Sequence, residues 1–474
     1  MGRRRARQRS WLTLLAGILV AALIPAHAHA GVARAALSAT DGQTAARLCA
    51  PDARQRDARE DAALAADYLA RAVTSSGRFR YRVDPDRPSG RLSGYNVLRH
   101  AGAIYALAGY LQRHPDARVQ SAMLRAAAYL KACCLAPLPD QRGTLAIWSL
   151  PAVTGRDRPP LAKLGGAGLG LAALTSVERL SPGSTSLGEL RGLARFVIFM
   201  QKEDGSFYSK FSPLAGGRQD RWQSLYYPGE AALGLLMLYD LDPDPRWIQG
   251  AARALAYLAR SRESMGEVPA DHWALIATEK LLRLASDQQG LVDEPALLRH
   301  TVQISSAILR EQLASTRDVP QPGGFSPDGR TTPTATRVEG LLAAARILSA
   351  RDDALVADIR SSIERGVVFL RGALVRSGAF AGGVPRAVGR LPPDGSQARQ
   401  RFNRRAGEIR IDYVQHALSA MLGQSELSST CRSDARFVAG SRLPPRQACF
   451  RLVIALPTGA QPASYRATRK WRLL

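Results

Sequence analysis

Three consecutive residues, Asp271, His272 and Trp273, place a carboxylate, an imidazole and an indole at the start of an apolar segment. A carboxylate and an imidazole both need polar partners when a fold buries them, so the triplet implies either such partners or a use in chemistry. Carboxylates and imidazoles often act as general acids and bases in enzymes. We therefore take this triplet as the first part of a candidate site.

Similar groups of functional side chains stand at the starts of other apolar segments. The further candidates for catalysis are Glu230, Glu339, Asp412 and His416. The candidates for substrate binding are Asn96, Arg99, His100, Trp222, Tyr226, Tyr227, Trp273, Arg337, Arg410 and Tyr413. Asp271 and Glu230 are the preferred acid and base, and the alternatives are His272, His100 and His416. The plainest start runs from Lys163 into Gly165 and Gly166, whose lack of side chains leaves space.

Each candidate also has a structural explanation when it is taken alone. A carboxylate in the first turn of a helix, such as Glu230 or Asp412, stabilises the helix dipole. A single histidine such as His416 is often a hydrogen-bonded core residue. The case for chemistry depends on convergence: four carboxylates around one cavity would repel one another, and the pKa of at least one would rise, as a general acid requires.

The helices that must position these residues follow a repeated cycle from Ala58 to Gln424. Each cycle has an amphipathic helix, a longer polar loop, a more apolar helix and a short turn. The amphipathic helices are predicted at Ala58–Val73, Ala117–Ala132, Leu187–Gln201, Arg246–Arg260, Ala296–Leu313 and Ala354–Val375. The apolar helices are predicted at Tyr95–Leu111, Lys163–Arg179, Pro228–Tyr239, Asp271–Leu284, Arg337–Leu348 and Asp412–Leu422.

The longer loops share a signature in which Gly precedes Phe with at most one residue between them. It occurs at Gly77-Arg78-Phe79, Gly205-Ser206-Phe207, Gly324-Phe325 and Gly378-Ala379-Phe380. Four copies at one phase of the cycle indicate an internal repeat. Six pairs of inner and outer helices, with the long loops at one end, describe an all-α (α/α)6 toroid. An open α-solenoid is the alternative, because the same helix pairs would also build it.

The pattern resembles the (α/α)6-toroid superfamily of six-hairpin glycosidases and epimerases, together with terpenoid-cyclase-like toroids. The segment from Phe196 through Gln201 to Phe207 is similar to the glutamine–aromatic repeat of terpene cyclases. The resemblance is architectural, covers about Ala58 to Gln424, and matches no single family. It implies a site at the face formed by the long loops and the inner-helix N-termini, which favour anionic groups.

Carboxylates, imidazoles, arginines and aromatic rings at one face suit glycan chemistry. Glycosidases use two carboxylates, whereas uronate lyases and epimerases use Tyr or His with Arg or Asn beside the substrate carboxylate. We therefore predict a carbohydrate-active enzyme for an acidic poly- or oligosaccharide, acting by hydrolysis, elimination or epimerisation. A non-catalytic toroid that binds glycans or cell-wall polymers is the alternative from another class.

Two further kinds of chemistry, metal binding and isoprenoid cyclisation, are less well supported by the sequence. The pairs Asn96/His100 and Asp412/His416 have the i, i+4 spacing that could place metal ligands on one helix face, but neither is a known zinc signature. We expect no metal and no cofactor. An isoprenoid cyclase of toroid type would use an Asp-rich motif, and the segment from Asp240 to Asp244 is Asp-rich. That segment falls in a short turn at the end opposite the long loops, where a helix-capping role is expected.

The N-terminus has the pattern of an export signal. Five arginines between Arg3 and Arg9 precede a 14-residue apolar stretch, Trp11 to Ile24, and small-residue cleavage sites follow at Ala28 or Ala30. Removing those five arginines lowers the formal net charge from +25 to +20. We expect a periplasmic or secreted protein with no stable transmembrane span after cleavage. Its partner would be an anionic glycan or cell-envelope polymer, and not nucleic acid.

The remaining boundaries divide the chain into a signal peptide (1–30), a leader or arm (31–57), the toroid domain (58–424) and a basic C-terminal appendage (425–474). In an oxidising compartment Cys431 and Cys449 could form a bridge within the appendage. Cys49 could pair with Cys133 or Cys134, which would leave one thiol over.

Overall fold

The computed structural model describes residues 53–87, 94–286, 288, 290–315, 322–349 and 351–440. The predicted signal and leader up to residue 52, with Cys49, and the segment after Gly440, with Cys449, lie outside the described residues. The described helices, in chain order, are α1 Ala53–Ala72, α2 Val97–Leu111, α3 Ala117–Cys134, α4 Pro151–Thr154, α5 Leu164–Leu180, α6 Leu187–Phe199, α7 Tyr227–Tyr239, α8 Pro245–Arg262, α9 His272–Leu284, α10 Glu294–Ser315, α11 Thr331–Leu348, α12 Asp353–Ala373, α13 Gln397–Asn403 and α14 Ile411–Gly440. None of these helices is both long and apolar enough to cross a bilayer.

Twelve of the helices form a closed ring of six hairpins. The inner helices α2, α5, α7, α9, α11 and α14 pack each on the next, and α14 packs back on α2. The outer helices α1, α3, α6, α8, α10 and α12 surround them, and α1 lies against both α14 and α2. Contact between the last and first inner helices closes the ring, which confirms the toroid and excludes the open solenoid for these residues.

The inner helices are buried nearly all round because their sequences are apolar on every face. In α7, residues Ala231 to Leu236 are fully enclosed. Close approach to α5 depends on small residues, since a Cβ built on Gly234 would lie 2.5 Å from the carbonyl oxygen of Gly168. The outer helices keep a polar face and begin at capping residues such as Asp116, whose side chain accepts from two backbone N–H groups.

The repeated glycine signature has a physical basis in the turn after each outer helix. Gly205 has φ +93°, and a Cβ there would lie 2.4 Å from the carbonyl oxygen of Arg253 in the next outer helix. Gly77, φ +83°, has the same relation to Arg125 in α3, and at the last junction Gly382, four residues after the signature glycine Gly378, takes this place against Leu64 in α1. Only glycine combines this conformation with this approach. Glycines in the loops after these outer helices therefore fix how the hairpins dock on their neighbours.

The loops also carry short strands that an all-α description omits. Strands β1 (Arg82–Val83) and β7 (Ile409–Arg410) pair with each other. A second antiparallel sheet has five strands in chain order: β2 Leu135–Pro137, β3 Leu145–Ser149, β4 Leu161–Lys163, β5 Lys210–Ser212 and β6 Gly217–Gln219. Most are two or three residues long, too short for an alternating pattern to reveal them in the sequence. They bring loop residues to the face where the inner helices begin.

Three details differ from the expectations. Helix α11 begins at Thr331, so Arg337 and Glu339 lie in its second and third turns and not at its start. Helix α14 continues to Gly440, whereas the sequence predicts that the last apolar helix ends at Leu422. Cys133 and Cys134 are joined to each other in the structure, so neither is left to pair with Cys49.

Candidate active site

A cavity of about 590 Å³ opens where α2, α5, α7 and α14 begin, beneath the loops and the five-stranded sheet. Its walls carry four aromatic rings, those of Tyr81, Tyr95, Trp222 and Tyr227. Its eight basic side chains are Arg82, Arg99, Arg156, Arg158, Lys163, Lys210, Arg405 and Arg410. No Asp or Glu is among the described residues that line it. The cavity is therefore strongly positive and partly aromatic, which suits an anionic ligand with an apolar face.

Asp412 anchors one side of the cavity from just beneath its surface. Its carboxylate receives Arg410 Nε at 2.5 Å and Nη2 at 2.9 Å, and Arg99 Nε lies 3.0 Å away. Burial raises the pKa of Asp412, but the two guanidiniums outweigh it, and the net shift is downward. Asp412 is therefore ionised, and it holds two arginines at the cavity in fixed positions.

A second carboxylate plays the same part nearby. Glu408 receives Arg405 Nε and Nη2, each at 3.0 Å, and lies 3.6 Å from Arg82. These two carboxylates compensate four of the eight basic groups of the cavity. Arg99 also contacts an aromatic residue of the cavity wall: its Nη1 donates a hydrogen bond to the Tyr81 hydroxyl at 2.6 Å.

A pair of imidazoles, neither of which lines the cavity, lies between α9 and α14. His416 is one turn after Asp412 on α14, and its Nδ1 is 2.7 Å from Glu339 Oε2 of α11. His272, at the first position of α9, faces it with ring centroids 5.7 Å apart. The rings of Tyr226 and Trp273 pack on His272 at 5.0 and 4.9 Å. Both ring nitrogens of His272 are buried without a hydrogen-bond partner among the described residues.

The two imidazoles have opposite protonation preferences. Burial lowers the pKa of His272 well below its ordinary value, and the neighbouring His416 and Arg337 add to the effect. Burial also lowers the pKa of His416, but the charge and hydrogen bond of Glu339 outweigh it, and the net shift is upward. A neutral imidazole thus faces one that favours its protonated form, an arrangement that separates a base from an acid.

The same residues are the candidates for holding a metal. His272, Glu339 and His416 each offer a ligand atom, and these atoms lie within 4.8 Å of one another. Among the described residues this is the one group of three that does so. The predicted i, i+4 pairs are not built this way. Asp412 is engaged by arginines, and His100 is bonded through Nδ1 to the Tyr95 hydroxyl and through Nε2 to the Ala126 carbonyl.

Asp271 and Glu230, the acid and base that the sequence favours, lie inside the helix packing and do not line the cavity. Asp271 is completely buried; it caps α9 through the Ala274 N–H at 3.1 Å and pairs with Arg262 at 2.9 Å. Burial raises the pKa of Glu230 to about 8, helped by the charge of Asp271. Glu230 Oε2 has no hydrogen-bond partner among the described residues.

The remaining candidates divide between the cavity and its supports. Trp222, 45% exposed, stands at the rim, and its ring packs edge-on against Tyr227 at 5.7 Å. Asn96 caps α2 through the Leu98 N–H at 3.0 Å. Arg337 is held by Glu311 at 2.8 Å, below the rim. Tyr413 is buried under the Arg410 guanidinium, 4.3 Å from its ring centre.

The Asp-rich turn has only structural contacts in the described residues. Asp240 pairs with Lys280 at 2.9 Å, Asp242 with Arg191 at 2.7 Å, and Asp244 caps α8. These contacts account for all three aspartates at the end of the ring away from the cavity.

The sequence did not reveal the wall of the cavity made by loops and strands. It consists of Tyr81, Arg156, Arg158, Lys163 and Lys210. One signal was available: lysine is rare in this chain, with six in 474 residues, and two of the six meet here. Lys163 precedes a segment without functional side chains in the sequence. Gly165 in that segment nevertheless makes room for Glu230, because a Cβ on Gly165 would lie 2.1 Å from Glu230 Oε2.

Solved structures with the same architecture were found by comparison. Cellobiose 2-epimerase from Spirochaeta thermophila superposes with a TM-score of 0.57 at 13% identity, covering 79% of this chain and 98% of that one. The chain shares the fold of the (α/α)6-toroid enzymes. An unsaturated glucuronyl hydrolase specific for heparin gives a TM-score of 0.53 at 10% identity, covering 79% and 98%. The α-1,6-mannanase GH76A from Salegentibacter sp. HEL1_6 gives 0.52 at 12% identity, covering 78% and 99%.

The likeness is one of fold. No protein-family model matches the chain, and no curated protein sequence matches it. At 10–13% identity these toroids establish the architecture and leave the substrate and the reaction to be argued from this chain's own residues. All three are carbohydrate-active enzymes, which agrees with the resemblance drawn from the helix cycle.

Proposed function

We propose that this toroid is an exported enzyme that acts on an acidic saccharide. The observation that carries the proposal is the cavity at the inner-helix N-termini, with eight basic side chains and four aromatic rings around a volume of about 590 Å³. Such a volume suits a mono- or disaccharide unit. Aromatic rings offer stacking surfaces to sugar rings, while guanidinium groups bind carboxylate or phosphate oxygens. The predicted export signal agrees with a substrate in the cell envelope or outside it.

For the reaction we propose proton transfer by the imidazole pair. In its neutral form His272 takes a proton from a carbon next to a carbonyl or carboxylate group, and protonated His416 returns one, with Glu339 holding its ring. Epimerisation, isomerisation and elimination all begin with this abstraction, and the acid then protonates the opposite face of the same carbon, a neighbouring atom or the leaving oxygen, respectively. His416 retains 12% side-chain exposure, whereas Tyr226 and Trp273 close over His272. Substrate access to His272 therefore requires these two rings to move.

Hydrolysis is less well supported by the geometry. It needs one carboxylic acid that donates a proton and one carboxylate beside the reacting bond. Asp412, beside the cavity, is kept ionised by Arg99 and Arg410. Glu230 has the raised pKa of an acid, but it is 3% exposed and sits behind Tyr227. A conformational change would have to uncover it.

The test is turnover of acidic sugars in D₂O. Wild-type protein would be incubated with uronate- and phosphate-bearing mono- and disaccharides, and NMR would follow deuterium incorporation, new epimers and unsaturated products. We expect incorporation at one carbon, and at least a hundredfold loss of rate in His416→Gln and in His272→Asn. His114→Gln, at the opposite end of α2, is the matched control and should keep the wild-type rate.

Three outcomes decide between the functions. Loss in both site variants but not in the control supports proton transfer by the pair. New reducing ends without deuterium incorporation would replace it with hydrolysis, and Glu230→Gln would then be the variant to lose activity. Tight binding of an acidic saccharide with no turnover would favour the non-catalytic glycan-binding toroid.

A further inference from the structure

One wall of the cavity carries positive charge that no carboxylate of the described residues pairs with. Lys163 and Lys210 come from β4 and β5, and Arg156 and Arg158 come from the loop before β4. None of the four side chains has an ion pair among the described residues. Asp157, between the two arginines in sequence, is exposed and pairs with neither. On the opposite wall, by contrast, Asp412 and Glu408 balance the arginines.

The register of the sheet makes this concentration of charge costly. Lys163 and Lys210 are directly paired positions of neighbouring antiparallel strands, and both side chains reach the same cavity. Side chains in such a pair stand about 5 Å apart at Cβ, and like charges there are destabilising. Lys163 is also the residue before the first turn of α5, where the unpaired N–H groups add further positive character.

The protonation of the two lysines reflects this crowding. Burial lowers the pKa of Lys163, and the charges of Lys210, Arg156 and Arg158 lower it further. Burial also lowers the pKa of Lys210, and the charge of Arg158 lowers it further. A fold that keeps four cations together without a counter-charge is strained until an anion enters. The strain would be relieved by a compact group with more than one negative charge.

We propose that this cation wall (Arg156, Arg158, Lys163 and Lys210) binds the phosphoryl group of a sugar phosphate monoester. A monoester phosphate carries close to two negative charges at neutral pH and three strong acceptor oxygens, whereas a uronate carboxylate carries one charge and two oxygens. Lys210 lies over the Trp222 ring at 4.1 Å, so a sugar attached to the phosphate would meet that ring at the rim. The inference rests on the proposed function for the saccharide part and adds the identity of its acidic group.

The experiment measures binding of inorganic phosphate, glucose 6-phosphate and glucuronate by calorimetry at pH 7.5 and constant ionic strength. We expect glucose 6-phosphate to bind at least tenfold more tightly than glucuronate, with inorganic phosphate between them or close to the sugar phosphate. In the double variant Lys163→Gln/Lys210→Gln the affinity for both phosphates should fall at least tenfold. Arg253→Gln, which removes one charge from the outer surface of α8, should bind as the wild type does.

Thermal unfolding without ligand separates a binding wall from a structural one. Because the two lysines repel each other, the double variant should unfold at a higher temperature than wild type in phosphate-free buffer and gain less from added phosphate. A structural role predicts the reverse, a lower unfolding temperature. A second variant, Arg158→Gln, tests the wall without touching the strands, and it too should weaken phosphate binding.

The possible results separate the two proposals. Equal phosphate affinity in wild type and the double variant, or glucuronate binding as tightly as glucose 6-phosphate, overturns the phosphoryl site. If uronates are then still turned over, the proposed function stands without it. Phosphate binding that depends on the lysines, in a protein that turns over no acidic saccharide, supports the site and removes the proposed enzyme. A phosphodiester such as glycerophosphocholine should bind weakly, and tight binding of it would contradict the monoester.

Discussion

Carboxylates around the cavity have different charge states because their neighbours differ. Asp412 and Glu230 are both buried, but two guanidiniums hold the pKa of Asp412 down, while burial and the charge of Asp271 raise that of Glu230 to about 8. Glu230 therefore keeps its proton in the folded protein at neutral pH. In the unfolded chain it would release it near the ordinary value.

This difference predicts how the stability of the protein depends on pH. Because folding raises the pKa of Glu230, the contribution of this residue to the free energy of unfolding is fully present below about pH 4.5. That contribution is lost as the pH rises to about 8. Replacing it by Gln, which keeps the shape and cannot ionise, removes that loss. The free energy of unfolding of Glu230→Gln, relative to that of wild type, should therefore rise by about 1.4 kcal/mol for each pH unit in that window.

Urea unfolding of both proteins at several pH values between 5 and 8 measures the gain. Glu60→Gln, on the exposed face of α1, is the matched control for the loss of one carboxylate, and the gain of Glu230→Gln across this pH range should exceed any that it shows. A constant difference between Glu230→Gln and wild type would mean that Glu230 is ionised in the folded state.

At the scale of elements, the contact between α5 and α7 decides how closely the inner ring can pack. A Cβ on Gly168 would lie 2.6 Å from the carbonyl carbon and oxygen of Glu230, both of them backbone atoms that cannot turn aside. The absence of a side chain there lets α7 lie close against α5, with Tyr227 at the cavity and Glu230 between the helices.

Gly168→Ala should therefore separate the two helices and lower the free energy of unfolding by about 2 kcal/mol, as overpacking does in tight cores. Gly109→Ala, in α2 with no atom within 4 Å of the added Cβ, is the control. It should raise the free energy of unfolding by about 0.5 kcal/mol through the helix preference of alanine. Chemical denaturation of both variants provides the measurement, and equal effects of the two changes would contradict the packing argument.

The helices could be predicted because each periodic segment is long and rich in apolar residues. Most predicted helix starts fall within two or three residues of those observed, and the exceptions are instructive. Helix α11 begins six residues before the prediction because Thr331, Thr332 and Pro333 read as a loop, although proline is tolerated in a first turn. The short strands gave no period to detect, so the wall with Lys163 and Lys210 was missed.

The candidate site was predicted in part for the same reason. Residues at helix starts do converge on one face, as they must in a ring of parallel inner helices. Which way each side chain points depends on local partners that sequence spacing does not show. Asp271 turns inward to cap its own helix and to meet Arg262, while His272, next to it, faces His416 across the ring.

At the scale of the whole molecule, the toroid depends on joining its first and last hairpins. Asp61 of α1 is 2% exposed and receives Arg371 Nε of α12 at 2.8 Å. Arg376, just after α12, reaches the same carboxylate with both terminal nitrogens. One buried carboxylate thus ties the outer helix of the first hairpin to that of the last, more than 300 residues away.

Asp61→Asn should loosen this closure, since it keeps the shape but removes the negative charge that the two guanidiniums contact. Breaking a buried ion pair from one side costs about 3 kcal/mol of unfolding free energy. Asp86→Asn, which removes the partner of Arg390 in a pair that is more than two-thirds exposed on both sides, should change it by less than about 0.5 kcal/mol. Urea unfolding distinguishes the two variants, and hydrogen exchange should place the added opening in α1 and α12. Exchange spread evenly over the ring would show that closure depends on the inner contact of α14 with α2 instead.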